Sequence, residues 1–302
     1  MPTPVAKESR MRATSLEELR EISARFATPE GVAAGLAYRP DPSDVFIAPF
    51  AKCGTTWMQQ IVHGLRSHGD MSFSEITEAV PWLELAHDIG LDIPGDQPSP
   101  RAFKSHLSWH DIPKGGRYIV VMRNPLDAAR SLYRFLEDWF FEPGSISVTE
   151  FACHVLNRDD QDNYWTHAAS WWAQRDRDDV LILAYEHMGR DLPGTVARVA
   201  EFIGLNDPER IEIATRQAGF DFMKAHSAKF DDHLVRDRRD PACGLPPGGA
   251  TTKVHAGEVG GETELIGPAV RAAFDLRWSE TMEAQHGLKD YAALLDALAD
   301  PA

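Results

Sequence analysis

Residues 44–57 read Asp44-Val-Phe-Ile-Ala-Pro-Phe-Ala-Lys-Cys-Gly-Thr-Thr-Trp57, a short apolar run followed by a turn and a polar helix start. The apolar run 44–48 predicts a buried strand, and residues 55–68 predict a helix. Where a strand leads into a helix, backbone N–H groups and the positive end of the helix dipole converge, which favours a bound anion. The stretch therefore predicts an α/β fold with a phosphate-sized anion site at the loop 49–54.

The lysine of this loop does not occupy the position of a Walker A lysine. Lys52 precedes Gly54, and no second upstream glycine gives the spacing G-x-x-x-x-G-K-[ST]. An ordinary capped helix start is the alternative interpretation, because K-x-G-T-T alone is a weak pattern. The remaining motifs of the chain decide between the two.

Short apolar runs alternate with helical patterns along the rest of the chain. Such alternation predicts a parallel sheet with helices on its faces. The predicted fold class is α/β: a single-domain, three-layer α/β/α arrangement with a central parallel sheet and a P-loop-like anion-binding loop. Further strands are predicted at 101–104, 118–122 and 180–184, and helices at 16–26, 125–140, 147–157, 163–175, 190–203, 208–218, 268–285 and 289–299.

Composition divides the chain into an arm and one domain. Residues 1–40 are polar and interrupted by prolines, which predicts an N-terminal arm with a short helix packed on a domain spanning 41–302. Residues 70–100 are rich in turn signals and predict short helices in a mobile cap. Residues 236–262 hold six glycines and three prolines, which predicts an extended loop, and we expect 227–262 to act as a lid.

The net charge of the 302-residue chain is −15, from 31 Lys plus Arg against 46 Asp plus Glu. This negative excess argues against nucleic acid and anionic membranes as partners. No apolar run approaches the roughly 18 residues of a membrane span, and residues 1–8 lack an apolar signal core, so we expect a cytoplasmic protein. The three cysteines, at positions 53, 153 and 243, have no paired spacing, so neither a disulfide framework nor a cysteine-ligated zinc site is expected.

Four further segments add motifs to the loop at 50–57. They are 80–84 (Val-Pro-Trp-Leu-Glu), 101–107 (Arg-Ala-Phe-Lys-Ser-His-Leu), 118–127 (Tyr-Ile-Val-Val-Met-Arg-Asn-Pro-Leu-Asp) with Ser131, and 185–188 (Tyr-Glu-His-Met) with Asp191. With the loop, these segments resemble the cytosolic-type sulfotransferase family, whose loop typically reads P-K-S-G-T-T-W. No single segment would suffice, but the five together, in the family's order, make the resemblance specific.

The resemblance implies transfer of a sulfuryl group from 3′-phosphoadenosine 5′-phosphosulfate (PAPS) to a hydroxyl group of a small, apolar alcohol or phenol, without a metal. By analogy with phosphoryl transfer, attack is in-line and negative charge grows on the leaving phosphate oxygen. The family's pattern makes Lys52 and Lys104 the catalytic cations and His106 the general base. With 12 histidines in the chain, one chosen without that motif is more often structural.

The same resemblance assigns residues to the donor and the acceptor. The loop and its helix start would hold the 5′-phosphate, a strand-end arginine and a helix serine would share the 3′-phosphate, and aromatic rings would contact adenine. A buried packing position is the alternative for Trp57. For the acceptor we predict Phe50, Trp82 and His106. The predicted donor residues are Lys52, Cys53, Gly54, Thr55, Thr56, Trp57, Arg123, Ser131, Tyr185, Phe220, His255 and Gly257.

One family motif is incomplete near the C-terminus. The family usually reads R-K-G-x-x-G-D-W in a loop that clamps the 3′-phosphate, whereas residues 255–262 read His-Ala-Gly-Glu-Val-Gly-Gly-Glu. Both cations and the tryptophan are missing. The missing positive charge would be supplied by His255, by Lys253 or by the arginines at 236, 238 and 239. The alternative for the three arginines is a solvated charge run.

Three questions stay open at the level of sequence. The family's dimer signature is not recognisable between residues 261 and 272, so the oligomeric state is undetermined. Cys53 replaces the usual serine and is either a packing residue or, at a helix N-terminus, a thiol of lowered pKa. The incomplete clamp leaves a catalytically weakened binding protein as an alternative to the enzyme. A nucleotide-dependent phosphotransferase is the other, disfavoured because the Walker A pattern is missing.

Overall fold

The centre of the protein is one sheet of four parallel strands, in the computed structural model that describes residues 11–158, 163–249, 251 and 266–299. The strands are β1 (Val45–Ile47), β2 (Ala102–Lys104), β3 (Arg117–Met122) and β4 (Val180–Ala184), in the spatial order β2-β1-β3-β4. Each begins and ends within one residue of its predicted bounds. The α/β class and the parallel sheet are confirmed.

Side chains of the strands alternate between two buried layers, because successive strand residues point to opposite faces of a sheet. Phe46 stacks between Phe103 and Tyr118 on one face, with ring centroids 5.4 Å and 5.5 Å away. Val45 and Ile47 point to the other face, in a second apolar cluster. All five side chains are completely buried. Burial on both faces explains why the strands read as continuous apolar runs rather than as alternating ones.

Helices cover both faces and complete the three layers. They are α1 (Leu16–Ser23), α2 (Pro29–Leu36), α3 (Thr55–Ser67), α4 (Ile76–Ala79), α5 (Pro125–Glu137), α6 (Val148–Leu156), α7 (Tyr164–Trp172), α8 (Tyr185–Arg190), α9 (Leu192–Ile203), α10 (Pro208–Ala218), α11 (Phe220–Ala225), α12 (His233–Cys243), α13 (Pro268–Trp278), α14 (Ala284–His286) and α15 (Tyr291–Ala299). Met58 of α3 is buried with Ile47 on one face, and Phe151 of α6 is buried with Phe46 on the other.

Several helices end earlier than predicted. α1 ends at Ser23 and α5 at Glu137, each three residues before its predicted end. The residues that follow leave the helical path, so that Phe26 and Phe140 pack together with ring centroids 5.6 Å apart. α7 ends at Trp172, again three residues early, and α13 gives way to a π-helical turn over Ser279–Glu283. Side-chain contacts outweigh helical periodicity at these ends.

The predicted extended loop over 236–262 is wrong in its first part, which belongs to α12. The glycines and prolines of this stretch begin only at Pro241, so the preceding residues are free of helix breakers. Pro241 lies in the last turn, and Gly244 ends the helix in the left-handed conformation, with φ +73°. Residues 252–262 of the predicted loop lie outside the described residues.

The N-terminal helices pack against the rest of the chain. Leu19 and Ile22 of α1 are buried in the apolar cluster around Phe46. Arg239 of α12 donates hydrogen bonds from its guanidinium to the carbonyl oxygens of Phe26 (2.7 Å) and Arg25 (2.8 Å). These residues of the predicted arm thus contact the rest of the chain, whereas the division into an arm and a domain stays a prediction.

Candidate active site

The carboxyl ends of the four strands lie along one edge of the sheet, because all the strands are parallel. The register pairs Ile47 of β1 with Lys104 of β2, and Met122 of β3 with Ala184 of β4. The loop 49–54 follows β1, and His106, Arg123 and Tyr185 follow the other three strands. Parallel pairing thus brings the predicted catalytic and donor residues of four separate segments to one edge.

The loop 49–54 turns tightly into α3. Lys52 has φ +66° and Gly54 has φ +95°, both in the left-handed region. A Cβ atom on Gly54 would lie 3.0 Å from Cδ2 of Tyr185. Because the backbone conformation and the close approach each disfavour a side chain, the glycine is required here. The turn is closed by the backbone N–H of Cys53, which donates to the carbonyl oxygen of Phe50 at 3.1 Å.

Two buried polar atoms at this turn have no hydrogen-bond partner within the described residues: Oγ1 of Thr55 and Nε of Arg123. Thr55 begins α3, whose N-terminal end has no side-chain cap. The guanidinium of Arg123 lies 4.3 Å from the ring centroid of Tyr185, and its Nη1 donates to the carbonyl oxygen of Lys52 at 3.0 Å. A helix N-terminus with unsatisfied donors and two adjacent cations is suited to a phosphate group.

Trp57 is half-buried and held by the neighbouring helix α10. Its Nε1 donates to the carbonyl oxygen of Ala218 at 2.8 Å, and its ring lies edge-on to Tyr185 with centroids 5.6 Å apart. Phe220 begins α11 and is 42% exposed. Ser131 lies half-buried in α5. Trp57 and Tyr185 form one aromatic surface beside the loop, and Phe220 follows Ala218, which accepts from Trp57, by two positions in sequence.

His106 is fixed by contacts to two other segments. Its Nδ1 lies 2.8 Å from the carbonyl oxygen of Pro49, and its backbone N–H donates to Oε1 of Glu84 at 2.8 Å. Because a carbonyl oxygen only accepts, Nδ1 carries the proton, and Nε2 is the basic nitrogen of the neutral ring. Glu84 is buried, and burial raises the pKa of its carboxyl group. The sequence motif at 80–84 did not reveal this support of His106.

Both candidate catalytic lysines lie over aromatic rings. Nζ of Lys104 is 3.6 Å from the ring centroid of Trp82, and Nζ of Lys52 is 4.1 Å from that of Phe135. Trp82 also meets the ring of His106 edge-on, with centroids 5.2 Å apart. The segment 80–84 reaches this position because it runs beside β2, where the N–H of Lys104 donates to the carbonyl oxygen of Pro81 at 2.8 Å.

A row of aromatic rings connects the surroundings of Lys104 with those of Lys52. Phe26 lies 5.8 Å from Trp82 and 5.6 Å from Trp139, and Trp139 lies 5.5 Å from Phe135. Phe26, Trp82 and Phe135 are half-buried, so parts of this aromatic wall are accessible. None of the sequence motifs includes Phe26, which lies in the N-terminal arm. Phe50, a predicted acceptor residue, is half-buried and packs against Tyr164 and His167.

Two residues of α7 contact other segments of the candidate site. The hydroxyl group of Tyr164 donates to the carbonyl oxygen of Arg123 at 2.6 Å. His167 is buried, and burial lowers its pKa to about 3, so this histidine is neutral at physiological pH. Tyr164 therefore supports the backbone at Arg123.

The structure corrects two interpretations of the sequence. Arg236 and Arg239 are buried and do not form a solvated charge run. The guanidinium of Arg239 donates hydrogen bonds to backbone carbonyl oxygens of the arm. Burial raises the pKa of the Cys53 thiol to about 12, which excludes the lowered pKa considered for it and leaves the packing role. His255, Gly257 and Lys253 lie outside the described residues, so their predicted roles are not tested.

Two features are absent from the part of the chain that the structure describes. Among residues 11–158, 163–249, 251 and 266–299, no three His, Cys, Asp or Glu side chains are grouped so that they could hold a metal ion. In the same part of the chain, no helix combines the length and the apolarity needed to cross a bilayer.

Known proteins resemble this chain in sequence and in fold. The sequence model of the sulfotransferase domain matches residues 42–248. Sulfotransferase 1C2 of Rattus norvegicus is 27% identical over 227 residues, which cover 70% of this chain and 76% of that protein.

Two solved structures have a similar fold over 91% of this chain. Retinol dehydratase in complex with androsterone and inactive cofactor PAP has a TM-score of 0.68, with 18% identity and 96% of that chain covered. Mouse sulfotransferase SULT7A1 complexed with PAP has a TM-score of 0.67, with 20% identity and 95% covered. Since the domain match spans more than half of the sequence and includes the loop 49–54, His106 and Arg123, the chain belongs to the sulfotransferase family.

Proposed function

We propose that this chain transfers the sulfuryl group of PAPS to a hydroxyl group of a small, apolar alcohol or phenol, with His106 as general base. The observation that carries the proposal is the 2.8 Å contact between Nδ1 of His106 and the carbonyl oxygen of Pro49. It ties the imidazole to the loop that contains Lys52 and makes Nε2 the basic nitrogen of the neutral ring.

The chemistry of the loop supports a donor that carries phosphate. Thr55 and Arg123 each have a buried polar atom without a hydrogen-bond partner among the described residues, at the N-terminal end of a 13-residue helix. Lys52 and Arg123 supply positive charge in a chain whose net charge is −15, so the anion site is a local feature. Both solved structures of similar fold hold PAP, which accords with an adenine nucleotide here.

PAPS supplies the sulfuryl group when it is bound. In the proposed assignment, residues 52–56 hold the 5′-phosphate, Arg123 and Ser131 hold the 3′-phosphate, and the rings of Trp57 and Tyr185 flank adenine. The predicted roles of Phe220, His255 and Gly257 belong to the same assignment. They rest on the sequence motifs alone.

The side chains have separate roles in the proposed reaction. Nε2 of His106 accepts the proton of the acceptor hydroxyl group as its oxygen bonds to sulfur and the bond between sulfur and the leaving phosphate oxygen breaks. Lys52 stabilises the negative charge that develops on that phosphate oxygen, and Lys104 positions the group in transfer. Glu84 and Pro49 keep the histidine oriented through their contacts with its backbone and its ring.

The aromatic wall supports an apolar acceptor. Phe26, Trp82 and Phe135 are half-buried rings that connect the neighbourhoods of Lys104 and Lys52. Aromatic faces bind flat apolar compounds well, and the adjacent lysines favour a hydroxyl group at the reacting end.

Incubation with ³⁵S-labelled PAPS and a panel of phenols, sterols and alkyl alcohols tests the proposal. We expect a labelled sulfate ester from at least one acceptor and none without acceptor. Titration calorimetry with adenosine 3′,5′-bisphosphate is the companion measurement. Binding without turnover on any acceptor would favour the weakened binding protein. A chain that neither binds nor transfers would contradict the proposal, and magnesium-dependent ATP turnover would favour a phosphotransferase.

A further inference from the structure

A tyrosine outside the matched sulfotransferase domain reaches the donor side of the site. Tyr291 begins α15, beyond residues 42–248, and its hydroxyl group donates to Oε2 of Glu186 at 2.6 Å. Glu186 is buried in α8, directly after Tyr185. Its other oxygen, Oε1, accepts from the backbone N–H of Asn124 at 3.2 Å.

Asn124 is the residue on which the Arg123 turn depends. Its side chain caps α5 by accepting from the backbone N–H groups of Leu126 (3.0 Å) and Asp127 (3.4 Å). Its own N–H is the group held by Glu186. A shift of Asn124 would therefore move the end of β3, the start of α5 and the backbone that carries the Arg123 guanidinium.

We propose that Tyr291 is a positioning residue for the donor site: through Glu186 and Asn124 it holds Arg123 in the place where it binds the 3′-phosphate of the nucleotide. The inference rests on the proposed function, because it takes the assignment of Arg123 from there. It adds the C-terminal helix α15 to the support of the site, beyond residue 262, where the last of the sequence motifs ends.

The surroundings of Tyr291 fit a fixed rather than a mobile group. Its ring lies edge-on to Trp278 of α13, with centroids 5.8 Å apart. The indole Nε1 of Trp278 is itself bound to the carbonyl oxygen of Leu288 at 2.8 Å. Burial raises the pKa of the Tyr291 hydroxyl group, so it keeps its proton and remains the donor to Glu186.

The chain offers a matched control at the opposite end of the sheet. The hydroxyl group of Tyr38 donates to Oδ2 of Asp44 at 2.6 Å, the same length and the same pair of groups. Asp44 precedes β1, far along the strands from the loop 49–54. Tyr291→Phe and Tyr38→Phe each remove one tyrosine–carboxyl hydrogen bond, but only the first is connected to Arg123.

Titration calorimetry with adenosine 3′,5′-bisphosphate and with adenosine 5′-monophosphate tests the inference on the full chain. We expect Tyr291→Phe to weaken bisphosphate binding about fivefold to tenfold and to leave monophosphate binding within about twofold, since the lost hydrogen bond acts on the 3′-phosphate contact. Tyr38→Phe should bind both nucleotides like the wild type. Thermal melting of both variants reports the loss of stability separately.

A second variant serves if Tyr291→Phe is insoluble. Tyr291→Phe combined with Glu186→Leu replaces both partners by apolar groups, which avoids an unpaired buried carboxyl group. It should show the same selective loss of bisphosphate affinity. Wild-type affinity in either soluble variant, or an equal loss in Tyr38→Phe, would overturn the inference alone. Absence of bisphosphate binding by the wild-type chain would overturn the proposed function and the inference with it.

Discussion

The carbonyl oxygen of Pro49 lies 2.8 Å from Nδ1 of His106, so the loop after β1 orients the residue that follows β2. The two positions are 57 residues apart in sequence and meet because β1 and β2 are parallel neighbours. This contact joins the candidate general base to the candidate phosphate loop. It links the fold directly to the proposed chemistry.

Replacing Gly54 by alanine should destabilise the protein and weaken nucleotide binding. The backbone at Gly54 has φ +95°, and a Cβ atom would lie 3.0 Å from the ring of Tyr185. The left-handed conformation alone costs roughly 1–2 kcal/mol for a residue with a side chain. Guanidinium unfolding measures the stability, and calorimetry with adenosine 3′,5′-bisphosphate measures the binding.

Gly189→Ala is the matched control for Gly54→Ala. Gly189 lies within α8, its φ is not positive, and a Cβ atom there would have no neighbour within 4 Å. Alanine should be neutral or stabilising by up to about 1 kcal/mol at such a position. Equal unfolding midpoints for the two variants would show that the turn at Gly54 is not constrained as described.

Removing the charge of Lys52 should slow transfer more than it weakens acceptor binding. A fixed cation beside a developing oxyanion contributes mainly to the transition state, and loss of one such group typically lowers kcat by about 10²–10³. Lys52→Met keeps the aliphatic stem over Phe135. Steady-state kinetics with the acceptor found in the transfer assay give kcat and KM separately.

Lys114→Met controls for the loss of a lysine–aromatic contact. Lys114 lies shortly before β3, and its Nζ is 4.7 Å from the ring centroid of Trp109. We expect its kcat to stay within about twofold of the wild type, because no charge near the reacting atoms is removed. A loss of kcat in Lys114→Met comparable to that in Lys52→Met would argue against a catalytic role for Lys52.

The thiol of Cys53 should resist alkylation in the folded protein. The side chain is completely buried, and burial raises its pKa to about 12. The thiolate is the reactive form, so iodoacetamide at pH 8 should label Cys53 only after unfolding, whereas the half-buried Cys153 should react earlier. Peptide mass spectrometry over a time course measures both sites. Rapid labelling of Cys53 under native conditions would restore the interpretation of Cys53 as a thiol of lowered pKa.

Stability should fall between pH 7 and pH 5, in part because of His167. Its pKa is about 3 in the folded protein and about 6.5 when unfolded, so the unfolded state binds the proton first as the pH falls. The stability is complete above the unfolded pKa and decreases by about 2 kcal/mol from pH 7 to pH 5. His63, whose pKa burial lowers to about 4, acts in the same direction.

His167→Gln should therefore flatten the dependence of unfolding free energy on pH. Guanidinium unfolding at pH 7 and pH 5 gives the difference for each protein. The contributions of His63 and of the buried Glu84 are present in both proteins and cancel in the comparison. If the variant loses as much stability on acidification as the wild type, His167 does not titrate as its burial requires.

The strands and most helices could be predicted because their apolar runs and caps are local properties of the sequence. The first part of the predicted loop over 236–262 was wrong because glycine and proline were counted over the whole stretch, although the breakers start at Pro241. The burial of Arg236 and Arg239 could not be predicted from the sequence either. An arginine that binds backbone carbonyls of a distant segment looks like a solvated one in sequence.

Residues of the candidate site could be predicted only where they belong to a sequence motif. Lys52 lies in the loop after β1, and His106 and Arg123 follow the ends of β2 and β3. The supporting contacts were not predictable, because Tyr291 and Glu186 are 105 residues apart and no local pattern relates them. Phe26 illustrates the same limit: its place in the aromatic wall follows from the packing of the arm.

The role of His106 is tested most directly by a single-turnover measurement with ³⁵S-labelled PAPS bound to His106→Ala, alongside nucleotide binding. We expect the transfer rate to fall by about 10²–10⁴ and the affinity for adenosine 3′,5′-bisphosphate to stay within about twofold. His110→Ala, an exposed histidine of the same segment, should transfer like the wild type. A His106→Ala variant that keeps more than about a tenth of the wild-type rate would contradict general-base catalysis by this residue.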